Sequence, residues 1–323
     1  RPACAGNNNC EPVCPIGAMY SGDMHVDKAV ALGMQLRTES VAWKLEKGAN
    51  NNIVALHYRQ PDGKDTRLTA KIFVIAAHGL ETPKLLLMND IANSSDQVGR
   101  NLMDHTGLNL TFLTDEPLWT GRGSVQHGTI ANRRDEPSRA QHSAIRYSLR
   151  NLVPNVDVTV PLLKQGMMGQ ALDDAIRDRA SRIMNIGTMS ETLPSPANRV
   201  VPNYARRDAI GLPMLSVNYH RDSYIRGMRP QAYKDFANFL QAFNGEVIEA
   251  PTGWRNQYHI MGTTIMGDNP RDSVVDAQCR CWDHPNLFLA TTGVMPTSAT
   301  VNPTLTGIAL ALRMADTIVR ELP

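Results

Sequence analysis

Apolar and polar residues alternate in short blocks along the first hundred positions, and these blocks predict a mixture of helices and strands. The spacing predicts a helix over 23–33, strands over 34–45, 53–59 and 67–75, and a helix over 81–88. A continuous apolar run over 72–77 ends at a His-Gly pair shortly before the second helix. A buried strand, a glycine turn and a helix in this order are typical of a nucleotide-binding sheet, although the pattern is common.

The middle of the chain has a different pattern. Alternating residues over 108–113 and 214–219 predict antiparallel strands, while 226–243 has helical spacing. Five residues of that helix form an apolar stripe typical of core packing: Tyr233, Phe236, Phe239, Leu240 and Phe243. The polar stretch 133–146 holds four arginines and is predicted to be a solvated loop. The chain ends in a predicted helix over 304–322.

Composition places this chain among ordinary globular proteins, since 42% of its 323 residues are hydrophobic and 20% are charged. Its formal net charge of +2 gives no large electrostatic footprint for nucleic acid, so we expect no nucleic-acid partner. The sequence contains no run of about 18 uninterrupted apolar residues and therefore predicts no membrane span. It begins Arg-Pro-Ala-Cys, without an initiator Met or a signal-peptide pattern, so we expect further sequence upstream.

Three of the five cysteines lie near the N-terminus with the spacing C-x5-C-x3-C-P: Cys4, Cys10 and Cys14. A disulfide would use two of them and leave the third, whereas a structural zinc site would need four N or S ligands, with His25 as the candidate fourth. Iron–sulfur clusters are bound by cysteines from such loops, and three cysteines suit a [3Fe–4S] cluster. The spacing favours the cluster but leaves all three alternatives open. The remaining two cysteines are interpreted as ordinary thiols: Cys279 and Cys281.

Candidate acid–base chemistry lies near the C-terminus. His259 precedes a glycine-punctuated apolar run, and a neutral histidine can accept a proton from an alcohol. Asn302 comes just before the last predicted helix, whose first backbone amides suit an anion or a polarised ring oxygen. The chain has nine histidines, and a lone histidine is more often a structural group, so position alone does not select His259.

The order of these segments resembles the glucose–methanol–choline (GMC) family of flavin oxidoreductases. The family's C-terminal signature matches in order at His259, Gly262-Thr263, Met266-Gly267, Val274-Val275-Asp276, Asn286-Leu287-Phe288, Met295-Pro296 and Asn302-Pro303-Thr304-Leu305-Thr306. Residues 76–86 resemble the family's second FAD-contacting element, and residues 98–105 resemble the element that follows it. The resemblance implies an α/β (α+β) fold, in which a partial, Rossmann-like FAD-binding domain accompanies a substrate domain built on an antiparallel sheet.

The resemblance also implies a domain division and a set of site residues. It assigns 1–22 to an iron–sulfur cysteine loop, 23–105 and 251–323 to a discontinuous FAD-binding domain, and 106–250 to the substrate-binding domain. His259 would be the general base, and Asn302 would orient the reacting hydroxyl. The implied FAD contacts are Ala76, Ala77, Gly79, Thr291, Thr292, Gly293, Pro303 and Thr304.

Within the family, the cysteine loop is similar to that of bacterial FAD sugar dehydrogenases of the glucose, fructose and gluconate type. This similarity implies a [3Fe–4S] cluster held by Cys4, Cys10 and Cys14, and a sugar, sugar-acid or polyol substrate. It also implies a multihaem cytochrome c subunit, a small export-chaperone subunit and peripheral attachment to the periplasmic face of the bacterial inner membrane. The alternative is a GMC-type alcohol oxidase that uses dioxygen and has a structural cysteine loop.

The sequence departs from the family pattern at two places. The dinucleotide fingerprint G-x-G-x-x-G is absent, because Gly121-Arg122-Gly123 lacks the required spacing. We therefore expect the N-terminal part of the FAD site to be missing. Thr291 stands where many relatives have an Asp, so only backbone contacts from 291–294 are expected there.

Overall fold

The computed structural model of the protein describes residues 1–7, 10, 13–121, 128–152 and 155–322. The helices are α1 (Asp23–Ala31), α2 (His78–Met88), α3 (Asn155–Lys164), α4 (Gly169–Arg182), α5 (Ser223–Gly227), α6 (Arg229–Ala242) and α7 (Thr304–Glu321). Short 3-10 helices span Ala49–Asn51, Pro137–Ala140 and Thr292–Val294. Parts of two predicted motifs lie outside the described residues: Asn8, Asn9, Glu11 and Pro12 of the cysteine loop, and Arg122 and Gly123 of the glycine motif.

Within the described residues, the strands fall into four sheets. They are β1 (Val41–Lys47), β2 (Ile53–Arg59), β3 (Asp65–Leu68), β4 (Phe73–Ile75), β5 (Thr106–Gly107), β6 (Asn109–Leu113), β7 (Thr129–Ile130), β8 (Ile145–Arg150), β9 (Ile183–Ser190), β10 (Arg199–Arg207), β11 (Pro213–Asn218), β12 (Glu246–Glu249), β13 (Arg255–Asn256) and β14 (Leu287–Leu289). The chain forms two compact units. The first unit comprises Arg1–Leu36, Thr106–Ser190 and Ser223–Arg255, and the second comprises Arg37–His105, Glu191–Asp222 and Asn256–Pro323.

The first unit is built on an antiparallel sheet whose central strands are β6, β9 and β8. Consecutive residues of a strand point to opposite faces, so each strand contributes to two cores. Leu110 and Phe112 pack with α6 on one face, whereas Leu113 packs with Val158 and Leu162 of α3 on the other. The antiparallel sheet expected over this part of the chain is therefore confirmed.

The stripe on α6 is a packing surface, as predicted, except at one residue. Phe236 is fully buried, and Phe239, Leu240 and Phe243 pack against the same core. Tyr233 is 38% exposed, so its assignment to the core is wrong. Its hydroxyl accepts a hydrogen bond from Arg229 and donates one to the carbonyl of Pro251, which explains its position at the edge of the stripe.

The polar stretch 133–146 is not simply solvated. Arg133 donates two hydrogen bonds of 3.0 Å to the carboxylate of Asp235 on α6, which is only 6% exposed. The Tyr147 hydroxyl and the Gln231 amide donate to the same carboxylate at 2.7 Å and 3.0 Å. The sequence around Arg133 predicts a solvated loop because the buried partner of this arginine, Asp235, lies about a hundred residues away along the chain. Here that partner attaches the loop to the core of the first unit.

The second unit contains an antiparallel meander of β1, β2 and β3, the hairpin β10–β11 and a parallel pair of β4 and β14. The strand predicted over 53–59 and the last helix are confirmed, but the strand predicted from residue 34 begins only at Val41. The strand predicted over 67–75 is two strands, because β3 pairs with β2 whereas β4 pairs with β14. Such a change of partner leaves no trace in local periodicity.

The helices also differ from membrane spans in length and apolarity. No helix in the described ranges combines the length and the apolarity that crossing a membrane requires.

Candidate active site

The two predicted catalytic residues lie together in the second unit. The side-chain amide nitrogen of Asn302 is 3.1 Å from Nε2 of His259, although the residues are 43 positions apart. Asn302 is exposed, and His259 is partly buried. Pro303 follows as the buried N-cap residue of α7, and Thr304 begins that helix. The arrangement presents an imidazole nitrogen and an amide together at the start of an 18-residue helix.

A buried carboxylate holds the backbone on which His259 sits. Asp104 accepts the backbone N–H of His259 at 2.8 Å and that of Tyr258 at 3.2 Å. Tyr258 has a φ of 59°, a left-handed conformation that is uncommon outside glycine. Burial raises the pKa of Asp104, and the backbone hydrogen bonds from His259 and Tyr258 offset part of that rise. These bonds fix the direction in which His259 leaves the chain.

The segment after His259 runs beside the segment before Asp104. Met103 and Met261 exchange two backbone hydrogen bonds of 2.9 Å and 3.0 Å. Gly262 has a φ of 84°, and a Cβ there would lie 2.0 Å from the carbonyl oxygen of Asn101. Only glycine permits this approach. Residues 98–105 and 259–262, which the sequence assigned to separate motifs, therefore form one structural element.

A second histidine, whose role the sequence analysis missed, contacts His259. Nδ1 of His105 lies 3.0 Å from Nδ1 of His259, and the two rings meet edge to face. Nε2 of His105 lies 3.1 Å from the carbonyl oxygens of both Ser298 and Ala299. His105 is fully buried. The only sequence signal was its place at the end of a family-like element, and nothing local indicates its partner 154 residues away.

The carboxyl ends of the parallel pair form the edge to which nucleotides bind in α/β sheets. Ile75 and Leu289 lie side by side in register, and each strand turns at once into a helical segment. Ala76 and Ala77 form the exposed turn after β4, and Ala77 lines a cavity of about 540 Å³ within the second unit. Small exposed residues at this edge leave the backbone open to a large ligand. The turn therefore fits the close approach of a dinucleotide such as FAD.

Other predicted FAD residues also have contacts within the protein. Gly79 is buried, and a Cβ there would lie 2.7 Å from the side chain of Ile260. Thr291 Oγ1 accepts the backbone N–H of Gly293 at 2.8 Å and so caps the following 3-10 helix. Thr292 Oγ1 donates to the carbonyl of Ile260 at 2.6 Å. The threonine at 291 thus uses its side chain for local structure, which leaves backbone groups as the available contacts.

The cysteine loop contains three thiols and no disulfide among them. Backbone N–H groups donate to the sulfurs of Cys4 and Cys14 at 3.4 Å and 3.3 Å, and such bonds are common around cluster thiolates. Backbone hydrogen bonds, above all from Met19, lower the pKa of Cys14. The chemistry of the donor set fits an iron–sulfur cluster. In this structure the three thiols do not converge on one point: among the described residues, no group of three His, Cys, Asp or Glu side chains is placed to hold a metal.

The other two cysteines belong to the core of the second unit. Cys279 and Cys281 are each 1% exposed and pack with the apolar residues around β4 and β14. Burial raises the pKa of both thiols. Burial in this apolar core agrees with their interpretation as ordinary thiols.

Comparison with known proteins identifies the family. Two sequence models of the GMC oxidoreductase family match the chain, the N-terminal model at residues 4–107 and the C-terminal model at residues 194–311. The chain is 44% identical to the fructose dehydrogenase large subunit of Gluconobacter japonicus, a match covering 100% of this chain and 60% of that protein. It is 28% identical to 2-methyl-1,2-propanediol dehydrogenase of Mycolicibacterium austroafricanum, covering 92% of this chain and 56% of that protein.

A solved structure of formate oxidase from Aspergillus oryzae, which describes the effect of a mutation on FAD modification in that enzyme, superposes with a TM-score of 0.64 at 15% identity. The match covers 88% of this chain and 60% of that one. The chain belongs to the GMC oxidoreductase family and has its FAD-binding fold. It spans about three fifths of the length of the curated relatives it matches.

Proposed function

We propose that this chain is part of a flavoprotein dehydrogenase that oxidises a hydroxyl group of a sugar, a sugar acid or a polyol. The pairing of His259 Nε2 with the Asn302 amide is the observation that carries the proposal. The imidazole nitrogen can accept the hydroxyl proton, and the amide can donate a hydrogen bond to the same oxygen. Oxidation of an alcohol to a carbonyl removes this hydroxyl proton together with a hydrogen on the carbon, so both groups suit the reaction. The two curated relatives support the substrate class, since their names specify fructose and a propanediol.

In the proposed reaction, FAD supplies the chemistry of accepting the carbon-bound hydrogen as a hydride. His259 Nε2 takes the hydroxyl proton as the carbonyl product forms, and Asn302 orients the oxygen through its amide. General-base catalysis of this kind contributes about 10²–10⁴-fold to a rate. The residues proposed to contact FAD are Ala76, Ala77, Gly79, Thr291, Thr292, Gly293, Pro303 and Thr304.

Asn302→Ala is expected to lower turnover roughly 10- to 100-fold, because the reacting oxygen loses a hydrogen bond of about 1.5–3 kcal/mol. The shape of the pH–rate profile should change little, since the proton acceptor remains. The full-length enzyme with its partner subunits would be assayed with an artificial electron acceptor over a range of pH. An unchanged turnover number would remove Asn302 from the site.

The proposal extends to the route by which electrons leave. Cys4, Cys10 and Cys14 are proposed to hold a [3Fe–4S] cluster, on the strength of their spacing and the similarity to a fructose dehydrogenase large subunit. A multihaem cytochrome c subunit that passes electrons to quinone and a small export-chaperone subunit are the proposed partners. This assembly would sit on the periplasmic face of the bacterial inner membrane.

The cluster is tested by Cys14→Ser, with Cys279→Ser as the matched control at a thiol in the core. The wild-type complex is expected to contain about three irons per flavin and to show the isotropic low-temperature EPR signal of an oxidised [3Fe–4S] cluster. Cys14→Ser should lose that signal and keep its flavin, whereas Cys279→Ser should keep both. Flavin without iron in the wild type would favour the alternative, an alcohol oxidase with a structural cysteine loop that forms peroxide from dioxygen.

A further inference from the structure

We infer that His105 is a positioning residue that sets the tautomer of His259 and so keeps Nε2 of His259 unprotonated, the state in which it can take a proton. The inference rests on the proposed role of His259 as the base. A neutral imidazole has one protonated and one unprotonated nitrogen, and only the unprotonated nitrogen can act as a base. Which nitrogen carries the proton is decided by the hydrogen bonds on the other side of the ring.

The proton on His105 is assigned by its carbonyl neighbours. Its Nε2 lies 3.1 Å from the carbonyl oxygens of Ser298 and Ala299, and a carbonyl oxygen only accepts hydrogen bonds. Nε2 of His105 therefore carries the proton and is shared between them. In a neutral ring this leaves Nδ1 of His105 unprotonated, so that it acts as an acceptor.

The protonation of His105 determines which nitrogen of His259 carries the proton. Nδ1 of His259 lies 3.0 Å from the Nδ1 acceptor of His105, so it must donate and carry the proton. Nε2 of the neutral His259 is then unprotonated, and it accepts a hydrogen bond from the Asn302 amide at 3.1 Å. The backbone carbonyls of Ser298 and Ala299 thus determine, through two imidazole rings, which nitrogen of His259 is unprotonated.

The charged groups nearby act on the backbone around the pair. Both carboxylate oxygens of Asp104 accept backbone N–H groups, those of Tyr258 and His259. The positive charge of Arg221 lowers the pKa of Asp104 against the rise from burial. Asp104 therefore fixes where His259 stands, and His105 fixes which nitrogen of His259 is basic. In the Ser-His-Asp triad a carboxylate orients the catalytic histidine. In this chain the neutral imidazole of His105 has the corresponding position next to His259.

Two substitutions separate this role from a structural one. In His105→Asn, the amide oxygen takes the position of Nδ1 and can accept from His259, but nothing reaches the carbonyls of Ser298 and Ala299. In His105→Gln, the amide nitrogen takes the position of Nε2 and keeps the carbonyl bonds, but the acceptor for His259 is lost. Each variant therefore retains one of the two bonds.

Turnover and KM of both variants are measured in the full-length complex. If His105 sets the tautomer, His105→Asn should stay within about threefold of wild-type turnover. His105→Gln should lose at least ~10-fold at little-changed KM, below the ~10⁴-fold found where a changed partner imposes the wrong tautomer. The reverse order, with Gln active and Asn inactive, would reduce His105 to a structural link, and wild-type turnover in both would overturn the inference.

A second measurement holds even if a variant fails to fold. The ¹⁵N spectrum of the histidine-labelled wild-type complex distinguishes protonated from unprotonated ring nitrogens, and the His259 signals are assigned by their loss in His259→Ala. We expect His259 to be protonated at Nδ1, and protonation at Nε2 alone would overturn the inference. If His259→Ala instead keeps full activity, the proposed function fails, and the spectrum still reports separately on the tautomer.

Discussion

Replacing His259 with alanine is expected to lower turnover by at least ~10²–10⁴-fold while the bound flavin stays at its wild-type level. The variant removes the nitrogen that faces the Asn302 amide, so the hydroxyl proton must go to water. Flavin content should persist, because the turn proposed to receive FAD follows β4 and does not include His259. Turnover would be measured in the full-length complex, and flavin would be quantified by absorbance after denaturation.

A matched control is available in another histidine of the second unit. His57 lies on β2, where it contacts the carboxylate of Glu46 in the meander. His57→Ala should leave turnover near its wild-type value. Near-wild-type activity of His259→Ala would show that the assignment of the base is wrong, whereas a comparable loss in both variants would point to a general effect on folding.

Asp235→Ala is expected to lower the free energy of unfolding of the first unit by about 1–3 kcal/mol, the usual cost of leaving buried hydrogen-bond donors without their acceptor. The substitution removes the carboxylate that accepts four hydrogen bonds, so the buried Tyr147 hydroxyl loses its acceptor and Arg133 keeps only its bond to Glu136. Urea denaturation followed by circular dichroism would measure the loss. Asp173→Ala, which breaks an exposed ion pair with Arg177, should change little.

The effect of Asp235 should also depend on pH. Burial raises the pKa of this carboxyl, but hydrogen bonds from Arg133 and Tyr147 outweigh burial and lower the pKa below its usual value. A lowered folded-state pKa stabilises the fold above the unfolded-state pKa of about 3.9, and this contribution is lost as the pH falls through the folded-state pKa. The stability gap between wild type and Asp235→Asn should therefore narrow below about pH 4. A gap that stays constant down to acid pH would contradict the assigned ionisation.

The sequence predicted those features that depend on neighbouring residues. The strand over 53–59 and the final helix follow from local periodicity, and the family motifs led to His259 and Asn302. Features that depend on a distant partner were missed. The residues after Leu68 join a different sheet, and Arg133 finds a buried carboxylate on α6.

His105 shows this limit most clearly in the candidate site. Its sequence neighbours place it at the end of a family-like element but give no indication that it contacts the proposed base. Only the fold shows that it lies between two backbone carbonyls and the proposed base. A sequence motif marks the position of such a residue, whereas its protonation is set by partners that the motif does not contain.

The wide separation of these partners along the chain bears on how the protein matures. The bond between the two histidines closes a span of 154 residues, and the bond from His105 to Ser298 closes one of 193. Contacts of such long range form slowly, because the entropy of closing the intervening chain is lost before they contribute stability. The proton-accepting geometry is therefore expected to appear late in folding. In newly made chains, the helices and the meander of β1, β2 and β3 would form first, and the contacts that orient His259 would form last.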